Sequence, residues 1–388
     1  MTSSAMSQDR SRFVIAGAGG IGTAAGVLLA ALGERDYDLV LWDANAGNLE
    51  RAAATIPRDH RVRSVETLHV ARGETPPELH RALEAADIVL DCLPGSAAPF
   101  VARLALEHRL HYVNLTEHVA ETDEILALSR DAETAFVLQT GLAPGFINIV
   151  GHRLFRDLCH DFEIDKIDRL KMRVGALTVH AHAPHFYGFT WSPAGVATEY
   201  LKPAVVVRDF EKTNRPSLSR RETLIVGGVV YEEDLTSGGA ADLPDALAGR
   251  VRDLDYKTLR YPGHYAWVEE KLAELREEGH EGKALIRALQ TVMEAAIPRV
   301  EDDRVVVYAA AEGRDSRGIP HLYEEAHRVH PGVFAGVRLR AIQTTTAAPM
   351  VEVAHLLLDG AYRGPVLQSE IDPDGFLGGP FVSAVYGV

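Results

Sequence analysis

The sequence predicts an α/β protein: a doubly wound parallel sheet of nucleotide-binding type, followed by a second α+β domain on a mixed or antiparallel sheet. Three observations carry this. Apolar runs without polar alternation recur through the first third of the chain, at residues 13–16, 38–42, 87–90, 112–115 and 135–138, with helical spacings between them. Strands of that kind are buried on both faces, as in a parallel sheet covered by helices. A glycine-rich turn joins the first strand to the first helix, and beyond about residue 146 the apolar residues begin to alternate with polar ones.

In chain order, residues 1–11 are polar, lack the apolar stretch of a secretory signal and are expected to be a mobile tail. The first helix keeps Ile21, Ala24, Ala25, Leu28, Leu29 and Leu32 on one face. In the second domain Leu170, Met172 and Val174 alternate with Lys171 and Arg173, and Val337, Leu339 and Ala341 with Arg338 and Arg340, which predicts strands with one dry face and one wet face. Leu285, Ile286, Leu289, Val292 and Met293 lie at helical spacing on a helix expected to cover the dry face. The charge-dense residues 269–278 read as the solvated side of a helix. An apolar-striped helix over 344–359 is expected to return the chain to the first domain. The predicted division is residues 12–145 with 344–388 for dinucleotide binding and 146–343 for substrate.

Composition excludes several classes. The chain has 388 residues, 46% hydrophobic and 24% charged, without an apolar run of the ~18 residues a membrane span requires. A formal charge of -15 argues against neutralising a phosphate backbone. Two cysteines, Cys92 and Cys159, support neither a disulfide framework nor a cysteine-rich zinc site, and the cytoplasm is the default location. The expected partners are a small amino-acid or amine substrate and further copies of the chain, as homodimer or homotetramer, with no nucleic acid and no membrane.

Residues 13–22, FVIAGAGGIG, contain G-x-G-x-x-G at Gly17, Gly19 and Gly22 directly after a strand and opening a helix. The first glycine permits the tight turn, the second lets backbone N–H groups, with those of Gly20 and Ile21, approach a pyrophosphate, and the third lets helix pack on strand. Asp43 ends the next strand, where a carboxylate accepts hydrogen bonds from a ribose 2′-OH, so NAD is expected and NADP is less favoured. Cys92, Leu93 and Pro94 follow one strand and Thr116, Glu117 and His118 another, both at carboxyl ends that face the cofactor crevice in such sheets. Cys92 reads more as a small buried apolar residue than as a reactive thiol, and His118 either moves protons or caps the next helix.

Four further motifs bring a resemblance into view: GLAPGFINIV at 141–150, WSPAGVATEYLKP at 191–203, DLTSGG at 234–239 and YKTLRYPGH at 256–264. In this order the chain resembles the saccharopine dehydrogenase family, most like its lysine 6-dehydrogenase and saccharopine reductase members, from about residue 12 into the C-terminal helix. The resemblance implies a Rossmann domain and a nicotinamide-dependent enzyme acting at a C–N bond of an amino acid through an imine. It also implies that GLAPGF is the crossover to the substrate domain, placing Pro144, Gly145 and Phe146 beside the substrate, with Gly145 opening a helix whose N–H groups bind a carboxylate.

Arg260 is the expected carboxylate clamp, since a guanidinium gives planar two-point recognition. His264 joins His118 and Glu117 as an acid–base candidate, and Trp191 and Ser192 are expected to line the substrate pocket. His180, His182 and His185 depart from the family pattern; a polar substrate loop is preferred to a metal site, because no carboxylate or cysteine is placed to complete one. Reductive condensation of an amine with a carbonyl compound uses the same parts. A catalytically silent NAD-binding protein and a methyltransferase remain as readings of the glycine loop.

Overall fold

The computed structural model describes residues 10–58, 61–116 and 119–388. Two compact units emerge, one of the residues through Gly145 with Gly332–Leu339 and Gln343–Val388, the other of Phe146–Pro331 with Arg340–Ile342.

The first unit is a seven-stranded parallel sheet in the order Gly364–Val366, Ala135–Val137, His111–Asn114, Ile88–Asp91, Arg10–Ala16, Asp36–Asp43, Val62–His69. Without the first of these it is the 6-5-4-1-2-3 order of a doubly wound dinucleotide fold. The five predicted strands are all present, and their central residues explain their apolar composition: Val14, Ile15, Val40, Leu41, Val89, Leu90 and Val113 are fully buried. Val62–His69 escaped the sequence reading because it is an edge strand with a mostly wet face, and Gly364–Val366 because three residues are too few to show a period. Residues 1–9 of the expected tail lie outside the described residues. Arg10 and Ser11 do not belong to a tail: they open the first strand, where Arg10 reaches Asp38 on the neighbouring strand at 2.5 Å.

The second unit holds an eight-stranded mixed sheet. Its central strand, Ile167–Thr178, pairs parallel with Val251–Arg260 and antiparallel with Asp303–Arg314. Three expectations are corrected here. The face of the central strand that carries Arg173 is not wet: Arg173 is buried between Glu233 and Asp255, both at 2.7 Å, and Lys257 joins Glu233 at 3.0 Å. A charged residue in an alternating pattern signals water only when no partner is supplied, and here neighbouring strands supply counter-charges. The helix Gly282–Ala296 does not cover the sheet; its stripe of Leu285, Leu289 and Met293 packs on helices Pro193–Leu201 and His264–Glu277. Phe146–Asp161 takes the sheet instead, packing on the strands Ile167–Thr178, Asp303–Arg314 and Pro320–Val329.

The last correction concerns residues 337–341. Val337–Leu339 pairs only with Gly332–Phe334, in the first unit, and Ala341 begins the helix Ala341–Leu358. Both oxygens of buried Asp303 accept the first helical N–H groups, from Ala341 and Ile342 at 2.7 Å each, so the helix starts three residues before the predicted stripe. The solvated face over 269–278 is as expected, with only Leu272 and Leu275 buried there.

Candidate functional site

The glycine loop is built by the chain's own steric demands. Gly17 adopts φ +100°, and a Cβ there would lie 2.8 Å from the Cys92 backbone; at Gly22 a Cβ would lie 2.0 Å from the Gly17 carbonyl oxygen. Gly17 N–H donates to the Trp42 carbonyl at 2.7 Å, tying the loop to the second strand. Gly19 differs: among the described residues a Cβ there would meet nothing within 4 Å beyond its chain neighbours. It precedes the helix Gly20–Leu32, which has no side-chain cap and no acidic residue in its first turn. Ile21 is half-buried as the helix turns inward. Open space before bare, forward-pointing N–H groups is what a pyrophosphate needs, and the residues fit a dinucleotide.

Asp43 ends the second strand and is nearly buried. Its carboxylate accepts from Ala18 N–H at 2.8 Å, Asn45 N–H at 2.7 Å and the Asn48 side chain at 3.3 Å. Three of its roughly four acceptor positions thus hold the loop itself. A cavity of about 300 Å³ adjoins this loop, lined by Gly19, Gly20, Thr23, Asn48, Arg51 and Arg338 among others. Gln343 closes one side, donating to the Gly20 carbonyl at 3.1 Å. Arg338 and Gln343 could not be found from sequence, since more than three hundred residues separate them from the motif they flank.

The carboxyl ends of the neighbouring strands carry a polar chain that the motif reading passed over. Buried Asp91 accepts from the Tyr112 hydroxyl at 2.7 Å and from Leu93 N–H at 3.0 Å, and Asn114 donates to the Tyr112 oxygen at 3.3 Å and accepts from Gln139 N–H at 2.9 Å. Burial outweighs these bonds and raises the Asp91 carboxyl to about 6. Cys92 is half-buried; desolvation, helped by Asp91, pushes its thiol above the usual range, and its Sγ lies 3.6 Å from Met350 Sδ. Pro94 leads a short 3-10 turn, Gly95–Ala97, accepting from Ala97 N–H at 2.8 Å. Thr116 is buried after the strand His111–Asn114. Glu117 and His118 lie outside the described residues.

The crossover motif closes on itself. Gly141 N–H donates to the Pro144 carbonyl at 2.9 Å, and Gly145, at φ +132°, has no room for a Cβ, which would fall 2.0 Å from the Gly141 oxygen. Phe146 opens the next helix fully buried, edge-on to His327, and Asn148 donates to the Gly239 carbonyl at 3.0 Å. Gly145 is therefore demanded by the turn's own geometry, whereas a Cβ on Gly141 would meet the Pro144 carbonyl oxygen only at 3.2 Å.

In the second unit Arg260 and His264, the expected clamp and acid–base candidate, are both buried. Arg260 is only 1% exposed, and each of its three nitrogens donates to the chain's own acceptors: Nη2 to Glu199 at 2.9 Å, Nε to the Tyr200 hydroxyl at 2.7 Å and Nη1 to the Leu259 carbonyl at 3.0 Å. The guanidinium also stacks on the Tyr187 and Tyr200 rings. A carboxylate clamp would have to compete with these partners. His264, fully buried, bonds to the Tyr200 hydroxyl at 3.0 Å through Nε2 and to the His185 carbonyl at 2.7 Å through Nδ1. Burial and then the Arg260 charge push its pKa down to about 3, so it does not titrate near neutrality as a catalytic acid–base would.

Ser192 caps the helix Pro193–Leu201, accepting from Gly195 N–H at 3.2 Å, and the Trp191 ring lies against Gly195, leaving no room there for a Cβ. These local tasks account for both residues. Of the loop histidines, His180 faces Asp302 at 3.7 Å, His185 accepts from Tyr187 N–H at 3.3 Å, and the His182 carbonyl accepts from Phe186 N–H at 2.8 Å. Among the described residues they do not converge as a metal-ligand set.

Fold and glycine loop together define a dinucleotide-binding enzyme with a second, mixed-sheet unit. Residues 13–138 match the profile of the saccharopine dehydrogenase NADP binding domain, and residues 141–379 that of the saccharopine dehydrogenase C-terminal domain. The chain belongs to the saccharopine dehydrogenase family, with a nicotinamide-cofactor-binding domain followed by the family's C-terminal domain. The mitochondrial alpha-aminoadipic semialdehyde synthase of Rattus norvegicus is 24% identical over 174 residues, 44% of this chain and 18% of that protein. The alpha-aminoadipic semialdehyde synthase of Arabidopsis thaliana is 28% identical over 120 residues, 30% of this chain and 11% of that protein. The matches thus span less than a fifth of these relatives. Among solved structures, saccharopine dehydrogenase (L-Glu forming) from Saccharomyces cerevisiae superposes with TM-score 0.71 at 15% identity, covering 95% of this chain and 96% of that one. Homospermidine synthase from Legionella pneumophila gives 0.65 at 14%, covering 97% and 90%. These likenesses show a shared fold. No helix among the described residues is long and apolar enough to cross a membrane.

Proposed function

We propose that the chain oxidises or reduces a C–N bond of an amino acid, in the manner of a lysine 6-dehydrogenase or a saccharopine dehydrogenase, through an imine of the substrate. The observation that carries this is the open space at Gly19 before an uncapped helix N-terminus, in a chain whose two parts both match saccharopine dehydrogenase domains. Its likeness to saccharopine dehydrogenase and alpha-aminoadipic semialdehyde synthase suggests the substrate class. The bound cofactor supplies or accepts the hydride. The chain's part is to hold the pyrophosphate on the first turn of Gly20–Leu32 and to move the amine proton. Since burial lowers the His264 pKa to about 3, the preferred candidates for moving that proton are His118 and Glu117, which follow the strand His111–Asn114 in the sequence. Such a group is worth about 10²–10⁴ in rate.

Of the two nicotinamide cofactors, NADP becomes the preferred reading over the NAD that Asp43 alone suggested. Asp43 is occupied by the loop, and Arg51 and Arg338 line the adjoining cavity, where two guanidinium groups suit a 2′-phosphate. Initial rates with NADP+ and NAD+ on lysine, ornithine and diamines, and with NADPH and NADH on keto acids with amines, test both halves of the proposal. Replacing Arg51 and Arg338 together by alanine should lower kcat/KM with NADPH by at least about tenfold and leave NADH nearly unchanged. A native enzyme that prefers NADH would return the assignment to NAD, and turnover of none of these substrates would remove the C–N reading.

A further inference from the structure

The nucleotide-binding unit carries a second group of metal-ligating side chains on the opposite edge of its sheet from the glycine loop. The helix Pro77–Glu84 turns Leu79, Ala82 and Leu83 inward and leaves His80 on its half-buried flank. The helix Ala98–Glu107 ends in exposed Glu107, and His108 follows as its cap, with its N–H bonded to the Leu104 and Leu106 carbonyls. The next strand begins at His111, so Glu107 and His108 stand at the amino edge of a parallel sheet whose carboxyl edge bears the glycine loop.

His80 Nδ1 lies 2.9 Å from His108 Nε2, with ring centroids 5.2 Å apart. One ligand atom from each of His80, Glu107 and His108 falls within 4.8 Å of the others, and among the described residues no other such trio exists. Two imidazole nitrogens at this separation either share one proton or turn both lone pairs toward a common cation. The Glu107 carboxylate has no side-chain ion pair or hydrogen bond within the described chain, so its charge is available to offset that of a cation. Two imidazoles and one carboxylate suit Zn²⁺ and its neighbours better than a hard cation, and half-exposure lets the ion enter and keep a water as fourth ligand.

We propose that His80, Glu107 and His108 form a binding site for a zinc-class divalent cation, which braces the helix Pro77–Glu84 against the end of the helix Ala98–Glu107. The site is separate from the cofactor cradle, and its occupancy is read without reference to turnover.

The full chain, without a polyhistidine tag and stripped by chelator dialysis, is titrated with Co²⁺ as an optical probe and with Zn²⁺ in competition. One ion per chain and a higher unfolding temperature are expected. His80→Gln with His108→Gln should weaken binding by at least about 100-fold and abolish the thermal shift, and Glu107→Gln should weaken it less. Circular dichroism and cofactor binding report whether each variant is folded, and the exposed Glu107→Gln serves as the independent probe if the double variant is not. Absence of binding at millimolar free metal would overturn the proposal. So would native affinity in a folded double variant or in Glu107→Gln, and so would loss of binding on replacing His180 and His182 instead.

Discussion

Replacing Glu199 by alanine should destabilise the second unit sharply, because it strands Arg260 as a buried charge. The pair sits at 2.9 Å with the arginine 1% and the glutamate 9% exposed at the side chain. At an effective dielectric of ~20 the direct attraction at that distance is about 6 kcal/mol. The faces of Tyr187 and Tyr200, with centroids 4.7 and 5.6 Å from the guanidinium carbon, return part of it, on the order of 1–2 kcal/mol. A net loss of about 3–5 kcal/mol follows, the usual cost of leaving one member of a buried pair unpartnered. For a domain of this size that lowers the melting temperature by about 6–20 °C. The assay is thermal unfolding of Glu199→Ala, Arg260→Met and the double variant. The double variant should lose less than the sum of the singles, since it leaves no orphaned charge. NADPH binding should be unchanged in all three. If Glu199→Ala stays within about 1 kcal/mol of the native protein while Arg260→Lys raises the substrate KM without loss of stability, Arg260 faces the substrate and the buried-pair reasoning fails.

Other outcomes follow from buried groups and from the cradle. His264 has a folded pKa of about 3 against 6.5 unfolded, so its contribution is complete above pH 6.5 and is lost as pH falls toward 3; His264→Gln should flatten the acid limb of stability, which chemical denaturation across pH would show. Glu352 is the opposite case. Burial raises it to about 7 although it accepts from Phe381 and Val382 N–H, so its contribution is complete below pH 4.5 and is lost as pH rises through 7. Glu352→Gln keeps an acceptor for both N–H groups and cannot ionise; it should stabilise the protein by up to about 3 kcal/mol at pH 8 and change little at pH 4, and equal effects at both pH values would refute this. Gly19→Ala fills space that only a ligand needs, so melting should stay within about 0.5 kcal/mol of native while cofactor affinity falls at least about tenfold. Unchanged affinity would show that the pyrophosphate lies elsewhere.

The parallel sheet was legible because its strands are buried on both faces and its glycines sit where a strand meets a helix. The second unit was less so, because a charge in an alternating strand has two physical outcomes. Arg173 at 1% exposure and Arg169 with its side chain 47% exposed lie on the same strand and look alike in sequence, and they differ in how closely neighbouring elements enclose and counter the charge. Asp303 shows the same limit at a helix boundary. A capping carboxylate ordinarily precedes the helix it caps, whereas this one comes from a strand some forty residues upstream and cannot be paired with Ala341 by spacing.

At the candidate site, the motifs that carried the family resemblance were read as chemistry, and several of them are architecture. WSPAGVATEYLKP and YKTLRYPGH meet in one cluster: Ser192 caps the helix that carries Glu199 and Tyr200, these two hold Arg260, and Tyr200 bonds His264 in turn. A buried polar cluster needs every donor matched, so a change in one member leaves another unsatisfied, and the residue types are constrained as tightly as in an active centre. Residue type alone therefore does not separate the two; exposure does. Gly19, which faces open space, and Arg51 and Arg338, which line a cavity, have surface to offer a ligand, whereas Arg260 and His264 have none. A binding role for Arg260 or His264 would require the cluster to open, exposing Glu199 and Tyr200 with them, and the melting behaviour of Glu199→Ala measures how far the fold resists that opening.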